Sequence, residues 1–345
     1  MAAPPVPSHS TLSIASVTRT AGIKWLGALL MICAIASWAR FSGGPSQSGI
    51  QILGNEEVQT PGLDDFVEKA HATTPTAAPA PVVKHTDRVA VIIEDRSLGN
   101  LIPVIFHFHS ILGPKWPIIL YTTRSTSLTL LQSASLSRAV ASSEIEIRYL
   151  PANTSFSSHA SVSEFLTSSF LWTDLAPYAK VLLFQADSIL CAGAPGTVDE
   201  FMSYDLVGAP IDARLGTGYN GGLSLRSREL VLRVIERWSF AADNSAAQRD
   251  NGEAGVPQEW GFEDQWLAAR MRELGSDVEL AGELGLTVNL PDERTAAGFA
   301  VETMWFEGLR PLGYHQPQRW QEEHMPEIME YCPEVGMIAG SSFFG

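Results

Sequence analysis

The chain has 345 residues, of which 45% are hydrophobic and 18% charged, and its formal net charge is −15 at pH 7. This apolar content suffices for a folded core and excludes global disorder, and the acidic balance argues against nucleic-acid binding, which needs a basic surface. Three cysteines are too few for a disulfide-framework mini-protein or a cysteine-based zinc cluster.

The first predicted element is an uncharged apolar run, Trp25 to Ala39, bounded by Lys24 and Arg40. Because positive charge precedes the run, we predict a cytosolic tail over residues 1–24, a type II transmembrane signal anchor over residues 25–41, and a chain that faces the ER or Golgi lumen. The run would form a helix of about 22 Å, which is short for a bilayer core of about 30 Å. A cleaved signal peptide and a mitochondrial presequence are the alternatives.

Residues 42–86 are rich in Pro, Ser and Thr, and we predict a disordered stem, because such a composition buries too little surface to fold. A folded domain is expected over residues 87–330, followed by a tail over residues 331–345. The sequon at Asn153 fits a luminal surface loop. Cys191 and Cys332 could pair in a lumen, but the sequence gives no distance between them, and we favour two buried free thiols.

From residue 87 onward, β-branched apolar runs alternate with stretches of helical length. This alternation predicts right-handed βαβ units and a mostly parallel sheet flanked by helices. No Gly-rich dinucleotide fingerprint follows the first strand and no P-loop motif occurs, which disfavours dinucleotide oxidoreductases and P-loop NTPases. The predicted strands are 88–93, 116–123, 145–150, 180–184, 205–210 and 223–225. The predicted helices are 98–112, 128–140, 162–175 and 198–204, with a further helix after Trp260.

Polar residues follow two of these strands, at the sheet edge where α/β proteins bind ligands. The first strand ends at Glu94-Asp95-Arg96 and the fourth at Gln185-Ala186-Asp187. A carboxylate such as Asp187 can hold Mg²⁺ or Mn²⁺ together with substrate phosphate oxygens. The competing interpretation is an aspartate that caps a turn.

Two further motifs contain glycine or carboxylate residues. Asn220-Gly221-Gly222 permits close approach of the backbone to a ligand, or else a hairpin turn. Glu263 and Asp264 lie at a predicted helix N-terminus, where the helix dipole keeps carboxylates ionised as a general base requires, although an acidic first turn is common in any helix.

Aromatic and histidine residues accompany these motifs. Trp260 and Trp266 flank the carboxylates and suit a sugar ring, although tryptophans are more often core residues. His315, in a loop punctuated by Gly and Pro, is available as a metal ligand, or is an ordinary histidine. We interpret His107 and His109 as structural.

The order of these signals resembles that of GT-A glycosyltransferases: a strand-end Asp, then N-G-G, then W-G-x-E-D, then a late G-x-H. The sequence is also similar to a largely fungal family, domain of unknown function 5672. The segments YNGGLS and WGFED also resemble parts of β-1,4-galactosyltransferases. The family similarity spans residues 88–317 in RVAVIIEDR, LLFQADSILC, GAPI, YNGGLSLRS, GFEDQWLA, FAVETMWFE and PLGYHQP.

The resemblance implies a GT-A-like fold in a single catalytic domain. It implies an inverting, metal-assisted transfer of a sugar from a nucleotide-sugar to a hydroxyl of a glycan, glycoprotein or glycolipid. The implied donor-side residues are Glu94, Asp95, Arg96, Gln185, Asp187, Asn220, Gly221 and Gly222, with Arg96 on the pyrophosphate. The implied ligands of Mn²⁺ or Mg²⁺ are Asp187 and His315, the implied base is Asp264, and Glu263 would orient the acceptor.

One departure from the D-x-D pattern bears on activity, because Gln185 stands where that pattern has a carboxylate. A neutral amide is a weaker ligand for Mn²⁺, which keeps open a non-catalytic protein that binds nucleotide-sugars or glycans. A further alternative is a glycoside hydrolase, which needs two carboxyl groups about 5 to 9.5 Å apart. Glu263 and Asp264 diverge as helix neighbours and would need a distant partner such as Asp187.

Overall fold

The computed structural model describes residues 87–152, 154–250 and 261–339. All of them lie in the second of the two units into which the chain divides, Pro81–Gly345. The predicted cytosolic tail, anchor and stem, together with Asn153 and Trp260, lie outside the described residues. Within the described ranges, no helix has the length and apolar character needed to cross a bilayer.

The described chain alternates strands and helices. The strands are β1 Arg88–Ile93, β2 Ile118–Thr122, β3 Ile145–Tyr149, β4 Lys180–Phe184, β5 Ser188–Leu190, β6 Leu206–Pro210, β7 Tyr219–Ser227, β8 Ala300–Val301 and β9 Gly313–His315. The helices are α1 Leu101–Leu112, α2 Arg124–Leu130, α3 Ala134–Ala141, α4 His159–Leu166, α5 Ser169–Asp174, α6 Arg228–Arg237, α7 Phe240–Asp250, α8 Glu263–Ser276, α9 Val278–Leu284, α10 Glu293–Phe299, α11 Pro317–Trp320 and α12 Met325–Tyr331.

The central sheet has six strands in the order β3-β2-β1-β4-β7-β6. Neighbours from β3 to β4 are parallel, whereas β7 runs antiparallel to both β4 and β6. Every residue of β2 is buried, as is most of β1 and β4, because helices cover the sheet and exclude water from these apolar runs. The predicted α/β fold with a mostly parallel central sheet flanked by helices is confirmed.

A second, smaller sheet has the order β5-β9-β8. Strand β5 pairs antiparallel with β9, which brings Ser188 opposite His315. Strand β8 pairs parallel with β9, which brings Val301 opposite Tyr314. Through this pairing, the residues that follow β4 come close to His315, although about 130 residues separate the two segments in sequence.

Several predicted elements differ in detail. The helices predicted over 128–140 and 162–175 are each two helices. Ser133 caps the second helix of the first pair by accepting the N–H of Leu136. In the second pair, the helix breaks at Thr167 and Ser168, between α4 and α5. The segment predicted as a helix over 198–204 is a short 3₁₀ turn, Val198–Phe201. Asn220 to Gly222 lie inside β7 and are not a hairpin turn.

The prediction of two free thiols is wrong, because Cys191 and Cys332 form a disulfide with Cα atoms 5.0 Å apart. Cys191 directly follows β5 and Cys332 directly follows α12. The chain after residue 330 also differs from a tail as far as Ala339: a 3₁₀ helix covers Pro333–Met337, and Val335 is fully buried. Val335, Ile338 and Ala339 belong to the hydrophobic core.

Candidate functional site

A cavity of about 810 Å³ opens beyond the carboxyl ends of β1 and β4. This is the sheet edge where the sequence predicts a ligand site. Ten of the eleven predicted site residues line it: Glu94, Arg96, Gln185, Asp187, Asn220, Gly221, Gly222, Glu263, Asp264 and His315.

 Asp95 does not line the cavity; its Oδ2 accepts the backbone N–H of Phe156 at 2.9 Å and so anchors the loop before α4.

Three side chains converge where β4 ends and β9 passes beside it. Nε2 of His315 lies 3.1 Å from Oε1 of Gln185 and 3.4 Å from Oδ1 of Asp187. Gln316, in the left-handed region at φ 45°, donates from Nε2 to Oδ2 of Asp187 at 2.6 Å. The pairing of β5 with β9 therefore brings together the two predicted metal ligands and Gln185.

The opposite nitrogen of His315 is bound by a residue that the sequence analysis missed. Nδ1 lies 2.9 Å from Oε1 of Glu302, and both side chains are buried. Burial disfavours the charged imidazole, but the hydrogen bonds and charges of Asp187 and Glu302 outweigh it and raise the pKa of His315 to about 9.

Gly222 lies directly against the imidazole ring of His315. A Cβ placed on Gly222 would collide with the imidazole of His315, lying 2.6 Å from Cδ2. Oδ1 of Asn220 accepts the N–H of Gly222 at 2.7 Å and holds this part of β7 in place. The Asn-Gly-Gly motif thus permits close approach of the histidine to the strand.

Asp264 lies in the first turn of α8 and faces β7. Its Oδ2 accepts the N–H of Gly221 at 2.7 Å, and its Oδ1 accepts the N–H of Gln265 at 2.7 Å. Burial, followed by the charge of Glu263, raises the pKa of Asp264 to about 7, although Arg226 and the two N–H bonds oppose the shift. A carboxyl with such a pKa suits proton transfer near neutral pH.

Glu263, which the sequence predicts to orient the acceptor, is held by two side chains of the fold. Its Oε1 lies 3.2 Å from Nη2 of Arg226, whose side chain is fully buried, and its Oε2 accepts from Ser163 Oγ at 3.3 Å. Among the described residues, Nη1 of Arg226 has no hydrogen-bond partner. The carboxylate is therefore held in a buried ion pair, which fixes α8 against β7. Arg226 was missed, although a charged residue inside the predicted strand segment LSLRS was a usable signal.

Two arginines line the cavity and are exposed. Arg96 donates from its Nε and Nη2 to the two carboxylate oxygens of Glu94, at 2.8 and 3.0 Å, and 68% of its side chain is exposed. Arg319, which the sequence analysis did not single out, donates to Oε1 of Gln316 at 3.2 Å. Because Gln316 also holds Asp187, Arg319 is placed beside the converging set of Gln185, Asp187 and His315.

Other candidate residues have structural contacts. Trp266 is fully buried and its indole N–H donates to Asp243 at 2.8 Å, so it cannot be the sugar-facing aromatic that the sequence suggested. His107 is buried, with Nε2 2.6 Å from the carbonyl oxygen of Leu190. Neither it nor His109 lines the cavity.

The donor atoms suit a divalent cation that also binds phosphate. Within the described ranges, no group of three or more His, Cys, Asp and Glu side chains is arranged to hold a metal. The converging set instead offers one carboxylate, one imidazole and one amide oxygen. Mg²⁺ commonly takes only one or two protein carboxylates and completes its shell with water and phosphate oxygens, and the set fits that pattern.

Residues 144–315 match the family model described as "Protein of unknown function (DUF5672)". The family resemblance seen in the sequence is thus confirmed over this region. Comparison with curated proteins found no match.

Solved structures with some similarity to this chain include two transferases. Mannosyltransferase PcManGT from Pyrobaculum calidifontis, in complex with GDP-Man and Mn²⁺, is 12% identical with a TM-score of 0.37, over 79% of this chain and 74% of that chain. The glycosyltransferase GlyE of Streptococcus pneumoniae TIGR4 is 15% identical with a TM-score of 0.39, over 66% of this chain and 54% of that chain. S. aureus TarS 1–349 is 11% identical with a TM-score of 0.34, over 71% of this chain and 64% of that chain.

Proposed function

We propose that this chain is a GT-A-like glycosyltransferase that moves a sugar from a nucleotide-sugar donor to a hydroxyl acceptor. One observation carries the proposal: Asp264 lines the same cavity as the converging Gln185, Asp187 and His315. A candidate base and a candidate diphosphate-binding set in one cavity are the parts that such a transfer needs.

The donor diphosphate is assigned to the side of the cavity that holds His315. Asp187 and His315 would hold Mn²⁺ or Mg²⁺, with Gln185 as a weaker amide ligand. When bound, the cation would neutralise charge on the leaving diphosphate. Arg96 and Arg319, both at the cavity wall, supply positive charge to the same phosphates. Glu94 holds the guanidinium of Arg96 in place for that contact.

The acceptor hydroxyl is assigned to the side of the cavity that holds Asp264. The carboxylate takes the proton of the acceptor hydroxyl as its oxygen forms a bond to the anomeric carbon. The bond from that carbon to the diphosphate oxygen breaks, and the nucleoside diphosphate leaves with the electron pair. This single displacement inverts the anomeric configuration. Glu263 contributes through its charge and its ion pair with Arg226.

The cellular setting is part of the proposal. We place the domain in the ER or Golgi lumen behind a type II anchor over residues 25–41, for which the apolar run and the preceding positive charges are the basis. The disulfide between Cys191 and Cys332 supports an oxidising compartment, since such bonds are rare in the cytosol.

The test is a donor screen with the purified full-length chain, using UDP-, GDP- and CMP-sugars with Mn²⁺ or with chelator. We expect release of one nucleoside diphosphate or monophosphate that depends on the cation and is lost in both Asp187→Ala and Asp264→Asn. Glu323→Gln, which alters an exposed carboxylate, is the control and keeps full activity. A product that retains the donor's anomeric configuration would contradict the role of Asp264 as base.

A second candidate function is a non-catalytic protein that binds nucleotide-sugars or glycans, and Gln185 is the observation that favours it. Replacing a carboxylate ligand by an amide weakens cation binding and charge neutralisation. This candidate predicts donor binding by calorimetry without turnover, with the same affinity in Asp264→Asn as in the wild type.

A further inference from the structure

The start of α8 exposes an aromatic side chain directly before the carboxylate pair. Phe262 is 42% exposed, lines the cavity, and is followed in the chain by Glu263 and Asp264. Leu215, 47% exposed, lines the cavity as well. Two large apolar side chains are therefore open to solvent at the cavity on the side of the candidate base.

Phe262 is an unfavourable residue for its position in the helix. It is the N-cap of α8, with φ −132° and ψ 143°, and its side chain makes no capping hydrogen bond. Ser, Thr, Asp and Asn stabilise this position, whereas large apolar residues do not. The nearby backbone N–H groups have other acceptors: that of Glu263 donates to Ser163 Oγ at 3.3 Å, and that of Gln265 donates to Oδ1 of Asp264. A residue that breaks a local rule while its large apolar side chain stays 42% exposed points to function.

The orientation of the Phe262 ring is fixed by a neighbour on another element. The ring of His159, the first residue of α4, meets it edge-to-face with centroids 5.7 Å apart and planes at 76°. Such an arrangement is a favourable geometry for two aromatic rings. The exposed ring is therefore held in one direction at the cavity wall, as a binding surface requires.

We infer that Phe262, together with Leu215, is the platform for a pyranoside acceptor. A pyranoside presents an apolar C–H face that packs on an aromatic ring and, at its edge, hydroxyls that donate to a carboxylate such as Asp264. A serine or threonine side chain offers the hydroxyl but no comparable apolar face. The inference rests on the proposed transfer reaction and names its acceptor class.

Phe262→Ser tests the platform, because this change improves the helix cap while it removes the ring. We expect the melting temperature of the full-length chain to stay the same or rise. We expect hydrolysis of the donor, in which water replaces the acceptor, to be unchanged, and KM for the best methyl pyranoside to rise about tenfold. Phe262→Tyr keeps the ring and is expected to keep KM. Leu128→Ser, at an exposed leucine of α2 outside the cavity, is the matched control.

Binding is measured separately by saturation-transfer NMR with methyl glucoside, galactoside, mannoside and N-acetylglucosaminide. Loss of the signal in Phe262→Ser but not in Leu128→Ser supports the platform. An unchanged signal and an unchanged KM overturn it, as does a parallel loss of donor hydrolysis and thermal stability, which would mark Phe262 as structural.

Wild-type transfer to Ser/Thr peptides but to no pyranoside also overturns the platform, while the transferase proposal stands. Absence of donor binding and turnover would defeat the transferase proposal, while the glycoside signal still tests the platform.

Discussion

Glu302 and His315 form a buried carboxylate–imidazole pair, with Oε1 2.9 Å from Nδ1. The pair fixes the imidazole so that its other nitrogen faces Gln185 and Asp187. A carboxylate on the far nitrogen is the common arrangement for histidines that bind metals, because it sets the tautomer and the ring direction. Glu302 thereby extends the candidate metal site to a residue that does not belong to the converging set.

Replacing Glu302 by alanine should weaken cation binding. Loss of such a carboxylate typically lowers metal affinity by about 10- to 100-fold, and we expect that range for Mn²⁺ bound by Glu302→Ala, measured by electron paramagnetic resonance of the free ion. Glu323→Gln removes an exposed carboxylate that contacts His324 and should bind as the wild type does. An affinity in Glu302→Ala within twofold of the wild type would remove Glu302 from the site.

Gly222→Ala should displace His315. The added methyl group would overlap the imidazole, and overpacking of this kind costs about 1–3 kcal/mol. We expect a lower midpoint in urea unfolding together with weaker Mn²⁺ binding. Gly298→Ala is the control, since nothing lies within 4 Å of a Cβ there. Equal stability and equal Mn²⁺ binding for the two variants would show that the histidine tolerates the methyl group.

The sequence was sufficient to predict elements that are marked by one short run of apolar residues. Strands β1 and β4 were predictable because RVAVII and KVLLF are apolar along most of their length, as strands buried on both faces are. The site residues that end these strands followed from the same alternation, since parallel strands bring their carboxyl ends to one edge.

Contacts between distant segments were not predictable. Glu302 reaches His315 because β8 and β9 pair with Val301 opposite Tyr314, a register that no local pattern reports. The ion pair of Arg226 with Glu263 depends on α8 packing against β7. The disulfide was missed for the same reason, because 141 residues separate its cysteines.

Removing that disulfide should destabilise the domain substantially. A crosslink across so long a loop restricts the unfolded chain, and its loss typically costs about 2–5 kcal/mol. Cys191→Ser/Cys332→Ser should therefore unfold at a lower urea concentration than the oxidised wild type. Reducing the wild type should shift its midpoint to the same extent. A double variant as stable as the oxidised protein would indicate that the bond contributes nothing.

Replacing one partner of the buried ion pair should lower the stability of the domain more than replacing both. Arg226→Met leaves the buried carboxylate of Glu263 without its cation, which typically costs about 3–5 kcal/mol. Arg226→Met/Glu263→Met removes both charges and should recover most of that loss, because replacing a buried pair by apolar residues is often neutral. Urea unfolding of the wild type, both single variants and the double variant measures the coupling. Additive losses would show that the two side chains act independently.

The raised pKa of Asp264 predicts how pH controls turnover. Its carboxyl must be ionised to accept a proton, so kcat/KM should rise with pH through a limb near pH 7. The charge of Glu263 is one cause of the shift, and its loss in Glu263→Gln should move the limb to lower pH, with the unpaired Arg226 acting in the same direction. A limb in Glu263→Gln at or above the wild-type pH would mean that another group controls the rate.

The raised pKa of Asp264 also predicts how pH affects the stability of the folded domain. Between the two pKa values, the folded state keeps a proton that the unfolded state, in which the pKa of Asp264 has its ordinary value of 3.8, has lost. The contribution of Asp264 to stability is therefore fully present below about pH 4 and declines as pH rises to about 7. Comparing urea midpoints at pH 5 and pH 8 should show a larger decline in the wild type than in Asp264→Asn, which cannot titrate.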